Sequence, residues 1–295
     1  MYLIKTNKEG CFLEINNPTK TVNAKIYLNH GASLQELTLK GQHIIQDLNP
    51  IPYSDSYASS ILFPFANRIK DGAYSFDGKN YQLVANQQQE NNALHGLVYN
   101  KIFKVVNQKT TETEASVTLE YVETEKHVGF PFTYTIHLEY IVSNDSLILN
   151  VSVTNTDSKP FPYTLGWHPY FISDNLKASS LVFESSKKLI IGERNITTGV
   201  KDIEPVDKFD IEDKQLDDCW ILEGNTIEFL TPKYHLTVGA TGNNNFLQVY
   251  TPKKQNAIAI EPTTGVSDSF NNKIGLETLK PNQTKSISWS LKLTN

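Results

Sequence analysis

Apolar and polar residues alternate along much of the chain. In Phe132-Thr-Tyr-Thr-Ile-His-Leu-Glu-Tyr140 the apolar side chains fall on every second position, with Thr133, Thr135, His137 and Glu139 between them. A period of two places one set of side chains on a buried face and the other in solvent, which predicts a half-buried strand. Leu147, Leu149, Val151 and Val153 repeat the pattern after Asn144-Asp145, and Ile287, Trp289, Leu291 and Leu293 form a closing strand. Further strands are expected over 116–123, 226–230, 234–239, 246–250 and 256–260. An Asp77-Gly78 pair between Ala73–Phe76 and Tyr81–Val84 marks a hairpin. No window of a dozen residues carries a 3.6-residue apolar stripe.

Nothing in the chain reads as a domain linker. The polar stretch Asn86–Asn92 is expected to be a loop, and the acidic stretch 201–218 a loop-rich region between strands. Many short strands without a break predict an all-β chain in which residues 1–295 form one β-sandwich or barrel of unusual size. The 14 Tyr, 14 Phe and 3 Trp of the 295 residues agree with a strand-rich chain.

A net charge of -5, with 27 basic residues interspersed among 32 acidic ones, argues against nucleic acid as a partner. Cys11 and Cys219 are too few for a disulfide framework and are expected to be free thiols. The first residues contain no apolar run of signal-peptide length, and no stretch approaches a membrane span. A soluble, cytoplasmic protein without membrane partners is expected. The sequence says nothing of oligomeric state.

Five segments set a polar or ionisable residue among aromatic and turn-forming ones: Pro64–Arg68, Ala93–Gly96, Gly166–Phe171, Leu216–Trp220 and Ile260–Gly265. His95, before Gly96, suits the end of a strand at a tight turn, as a core histidine or as a site residue. Pro169 biases His168 toward extended backbone, from which a strand end presents a side chain to a pocket. Glu261 closes the apolar run Ala257–Ile260, either as a strand-terminal surface charge or as a catalytic carboxylate. Arg68 is an ion-pair partner or a cleft residue, and Asp217 stands in an acidic neighbourhood. Cys-x-x-Cys and His-Glu-x-x-His are both missing, and the seven histidines are widely spaced, so no metal site is expected. The dinucleotide fingerprint, the phosphate loop and the Gly-x-Ser-x-Gly elbow are missing too. Cofactor-free acid–base chemistry remains.

Taken in order, Phe65-Ala-Asn-Arg68 with its Asp77-Gly78 hairpin, Leu94-His95-Gly96, His168-Pro-Tyr-Phe171, Asp217 and Glu261-Pro-Thr-Thr resemble the aldose 1-epimerase (galactose mutarotase-like) family. The resemblance implies a large antiparallel β-sandwich that interconverts the α and β anomers of a free sugar without a cofactor. By the same resemblance Glu261 is the general base at the anomeric hydroxyl, and His168 the general acid at the ring oxygen. His95 assists, and Arg68, Asp217, Asn67 and Trp220 bind the sugar. Asp217 is preferred to Asp218 because Trp220, three positions on, fits the family spacing. Trp167, Tyr170, Trp220 and Phe270 are candidates to pack on the apolar face of a pyranose or are core residues.

Trp167 stands where many mutarotases carry Asn. This resembles a broader branch of the family that includes enzymes of hexose 6-phosphates, for which Arg68, Lys70 and Lys273 are the candidate cations. A non-catalytic carbohydrate-binding protein and a glycoside-processing enzyme using Glu261 with Asp217 are the competing readings.

Overall fold

The computed structural model describes residues 1–242, 245–253 and 255–294. Among these residues the architecture is an all-β antiparallel sandwich, with two helices of four residues each and two short 3-10 turns. The chain begins with a five-stranded meander from Leu3–Asn7 to Gln42–Ile45, each strand paired with the next. A second sheet of fifteen strands follows. From its edge it runs through Lys104–Thr110, Glu114–Glu123, Tyr134–Ser143 and Ser146–Asn155 to the closing strand Thr284–Leu293. Beyond these lie His235–Ala240, Thr226–Leu230 and Ser180–Ile191. The sheet ends with Asp217–Ile221, Phe246–Tyr250, Ala257–Thr263, Gly166–Trp167 and Ile61–Leu62.

The alternation read from the sequence is the burial pattern of these strands. Along Tyr134–Ser143 and Ser146–Asn155 every second side chain is buried, and Ile136, Leu138, Leu149 and Val153 reach zero exposure. These residues share one apolar cluster with Leu13, Ile26 and Leu37 of the meander and with Trp289 and Leu291 of the closing strand. Burying each such side chain contributes roughly 1.5–3 kcal/mol. Polar bonds tie the layers at their edges: Tyr140 donates its hydroxyl to Ala32 O (2.8 Å), and the Gly31 amide to Lys101 O (3.0 Å). Asp77 and Gly78 form the two-residue hairpin loop, both with positive φ, so the strands are Ala73–Phe76 and Lys79–Gln82.

The acidic stretch differs from expectation. Most of it is not loop but strand: Thr197–Asp210 pairs with Ser180–Ile191 as a long hairpin arm. Its apolar residues Val200, Ile203, Val206 and Phe209 recur every three positions rather than every two. Register shifts between Val182/Ser185 and Ser185/Lys187 break the simple alternation. The period-two signal is therefore lost although the strand is not. Asn86–Asn92 is a loop as expected, entering a short strand at Asn92. Cys11 and Cys219 are free, the first exposed and the second buried.

Candidate active site

Two crossings of the chain place the histidines. The strand Asn92–Leu94 pairs with Arg68–Lys70, and the His95 amide then donates to Asn67 O (2.8 Å). His95 and Gly96 both have positive φ, and a Cβ on Gly96 would lie 2.2 Å from Phe63 O. Only glycine lets the two backbones approach this closely, so Gly96 fixes where the His95 ring stands. His168 lies between Gly166–Trp167 and Tyr170–Ile172. Its amide donates to Ser60 O (3.1 Å), and its carbonyl accepts from the Ser59 amide (2.7 Å).

The two carboxylates, Asp217 and Glu261, come from the strands on either side of Phe246–Tyr250. Gln248 pairs with both Cys219 and Glu261, and Tyr250 pairs with both Asp217 and Ala259. Tyr170 lies opposite Ala259 in turn. Paired residues, and residues two apart, share a face of the sheet. Asp217, Gln248, Tyr250, Glu261 and Tyr170 therefore floor one cavity, of about 320 Å³, at the small end of the range for small-molecule sites. Asn67, Arg68, His95 and His168 complete its wall. Glu261 is not strand-terminal: Ala257–Thr263 continues through Pro262, and the residue is 2% exposed.

His168 Nε2 lies 3.4 Å from Glu261 Oε1. The His95 ring packs edge-on against that of His168, centroids 4.8 Å apart, and Tyr57 covers its other side at 4.8 Å. Burial pushes Glu261 well above the usual carboxylate range; the charge of Asp217 adds to this, and Arg68 opposes it. Burial likewise holds His168 down at about 4 and His95 well below the ordinary histidine value. Asp217 is raised, chiefly by burial, while Gln248 Nε2 donates to its Oδ1 at 2.8 Å. Arg68 donates from Nη1 to Asn67 Oδ1 (2.9 Å) and from Nε to Gln87 Oε1 (3.2 Å) and Glu90 Oε2 (3.3 Å).

Of the residues singled out in the sequence, Asn67, Arg68, His95, His168, Asp217 and Glu261 converge here. Trp220 does not. It is an odd number of positions from Asp217, so its side chain leaves the opposite face of Asp217–Ile221 and packs on Phe183 and Phe209. Asp218, the alternative to Asp217, pairs instead with Lys188. Trp167 stacks on Trp289, and Phe270 meets Phe65 and Tyr74, so both are core residues. Lys70 and Lys273 do not line the cavity. Tyr57, Gln87, Gln248 and Tyr250 do, and sequence reasoning missed them. A polar Gln248 inside Phe246–Tyr250 was a usable signal; Tyr57 offered none. Among the described residues no three His, Cys, Asp or Glu side chains are grouped to hold one metal ion, and no helix is long and apolar enough to cross a membrane.

The profile of the Aldose 1-epimerase family matches residues 12–292. The chain is 25% identical over 263 residues to the uncharacterized protein YihR of Escherichia coli, covering 83% of this chain and 82% of that one. It is 27% identical over 148 residues to human galactose mutarotase, covering 48% and 42%. Among solved structures, a galactose mutarotase-like protein from Clostridium acetobutylicum superposes with a TM-score of 0.85 at 19% identity, covering 100% of this chain and 98% of that one. Galactose 1-epimerase from Lactobacillus acidophilus gives 0.80 at 18% identity, covering 99% and 98%. Those two likenesses establish the fold, and the profile match over nearly the whole length establishes more: the chain belongs to the aldose 1-epimerase family.

Proposed function

We propose that the protein is an aldose 1-epimerase that interconverts the anomers of a free, uncharged hexose. The observation that carries this reading is the contact of His168 Nε2 with Glu261 Oε1 at 3.4 Å, inside a cavity walled by His95 and Arg68. Ring opening needs one proton removed and one delivered. Glu261 takes the proton of the anomeric hydroxyl while the bond from C1 to the ring oxygen breaks, and His168 protonates that oxygen. The open aldehyde turns about its C1–C2 bond. On reclosure His168 recovers its proton from the attacking hydroxyl, and Glu261 returns the other to the carbonyl oxygen. The balance is zero over a cycle, so the pair works with a single proton, which burial favours on Glu261 in the resting site and which passes to His168 before the ring opens. Burial disfavours the charged form of each, and Arg68 opposes this on Glu261 by favouring its carboxylate.

The rest of the wall suits a sugar. Tyr170 and Tyr250 offer apolar ring surface. Charge separates the substrates: Arg68 is the one Lys or Arg lining the cavity among the described residues, against Asp55, Asp217 and Glu261. This disfavours a hexose 6-phosphate. Anomer-resolved NMR with free and phosphorylated aldoses tests the proposal: faster exchange of a neutral aldose than in buffer supports it, and no acceleration of any sugar overturns it.

A further inference from the structure

Glu90 does not line the cavity, yet it is joined to Arg68, which does. Behind it stands the turn between Ser180–Ile191 and Thr197–Asp210. Asn195 Nδ2 donates to Glu90 Oε1 (3.2 Å), and Arg194 Nε donates to Glu90 O (2.6 Å). Arg194 Nη2 reaches further, to Asp71 Oδ1 (2.9 Å), Asn91 O (2.9 Å) and Asn92 Oδ1 (3.0 Å). Arg194 and Asn195 both hold positive φ, +60° and +57°. Such backbone is costly for non-glycine residues and persists only where surrounding contacts fix it. Here those contacts run from the hairpin turn through Glu90 to the guanidinium in the site.

We propose that Glu90 is a positioning residue for sugar binding, one that sets Arg68 from behind. Glu90 and Gln87 share the single Nε–H, and Asn67 accepts from Nη1, so two of the three guanidinium nitrogens have protein acceptors. Nη2 is left without a protein acceptor among the described residues and is the donor available to a hydroxyl. A guanidinium is planar, so fixing Nε and Nη1 fixes Nη2 as well. Without Glu90 the long side chain regains rotamer freedom, which sugar binding must then remove.

The inference rests on the epimerase reading, and the experiment separates the two. With D-galactose and D-glucose as probes, Glu90→Ala raises KM and the calorimetric dissociation constant about tenfold, while kcat stays within about twofold. Glu90→Gln keeps a carbonyl oxygen for Nε and restores KM to within about threefold of wild type. Asn195→Ala, which loosens Glu90 without touching Arg68, shifts KM in the same direction by less. A wild type that binds sugar without anomerising it, while Glu90→Ala still weakens binding, sinks the epimerase reading and leaves this one standing. Unchanged affinity in Glu90→Ala, a loss that falls on kcat instead, or no rescue by Glu90→Gln overturns the role of Glu90.

Discussion

Replacing His168 by Asn removes an imidazole that burial keeps neutral, and the consequence is measurable as stability against pH. In the unfolded chain this histidine titrates at its ordinary 6.5, whereas in the folded protein burial lowers it to about 4. A depressed histidine contributes stability that is present above the unfolded value and lost as pH falls through the folded one, because the unfolded chain binds the proton first. Linkage between 6.5 and 4 gives a loss of about 2 kcal/mol by about pH 5 and about 3 kcal/mol by about pH 4, against under ~0.2 kcal/mol at about pH 7. His95 works in the same direction. Glu261, raised by burial, works in the opposite one, losing stability as pH rises above the unfolded carboxylate value. Both remain in the variant, so the difference between the two proteins reads His168 together with its charge coupling to His95. Urea unfolding of wild type and His168→Asn across the acid range reads it. Wild type should fall relative to the variant by about 3 kcal/mol between neutrality and about pH 4. Parallel curves would refute the reasoning. A wild type that gains on the variant as pH falls would also do so, showing an imidazolium held by Glu261 in the resting site.

Two further outcomes follow from the geometry. Gly96→Ala puts a Cβ 2.2 Å from Phe63 O at a φ of +78°, which should cost about 2–4 kcal/mol in chemical denaturation and lower kcat by displacing His95. Asp217→Asn, which loses a charged acceptor in the cavity floor, should raise KM for a neutral aldose about tenfold. Trp220→Phe, on the reverse face of the same strand, should leave KM within about twofold in the same assay.

The contrast between Asp217 and Trp220 shows how the sequence was both readable and misread. Asp217 was expected at the end of an acidic loop-rich stretch, but Asp217–Ile221 is a strand, and residues three apart on a strand take opposite faces. Parity on that strand turns Trp220 away from the cavity, onto Phe183 and Phe209. His95 and His168 were legible because Gly96 and Pro169 restrict the backbone next to them, a local effect. Gln248 beside Glu261, or Glu90 behind Arg68, depends on register and on loop placement, which arise only when distant segments pair. The meander over residues 3–45 was covered only by general patterning, and the hairpin arm Thr197–Asp210 hid behind its register shifts. Its turn nevertheless supplies Arg194 and Asn195 to the network around Arg68, so the least legible stretch of the chain supports the site.

The central claim is that the buried His168–Glu261 pair exchanges the protons of ring opening and closure. Anomer exchange of D-galactose and D-glucose, followed by NMR with wild type and Glu261→Gln under identical conditions, tests it most directly. Wild type should accelerate exchange over buffer, and Glu261→Gln, folded and still able to bind sugar, should lose about 10²–10⁴ of that rate. A Glu261→Gln variant as fast as wild type would contradict the account.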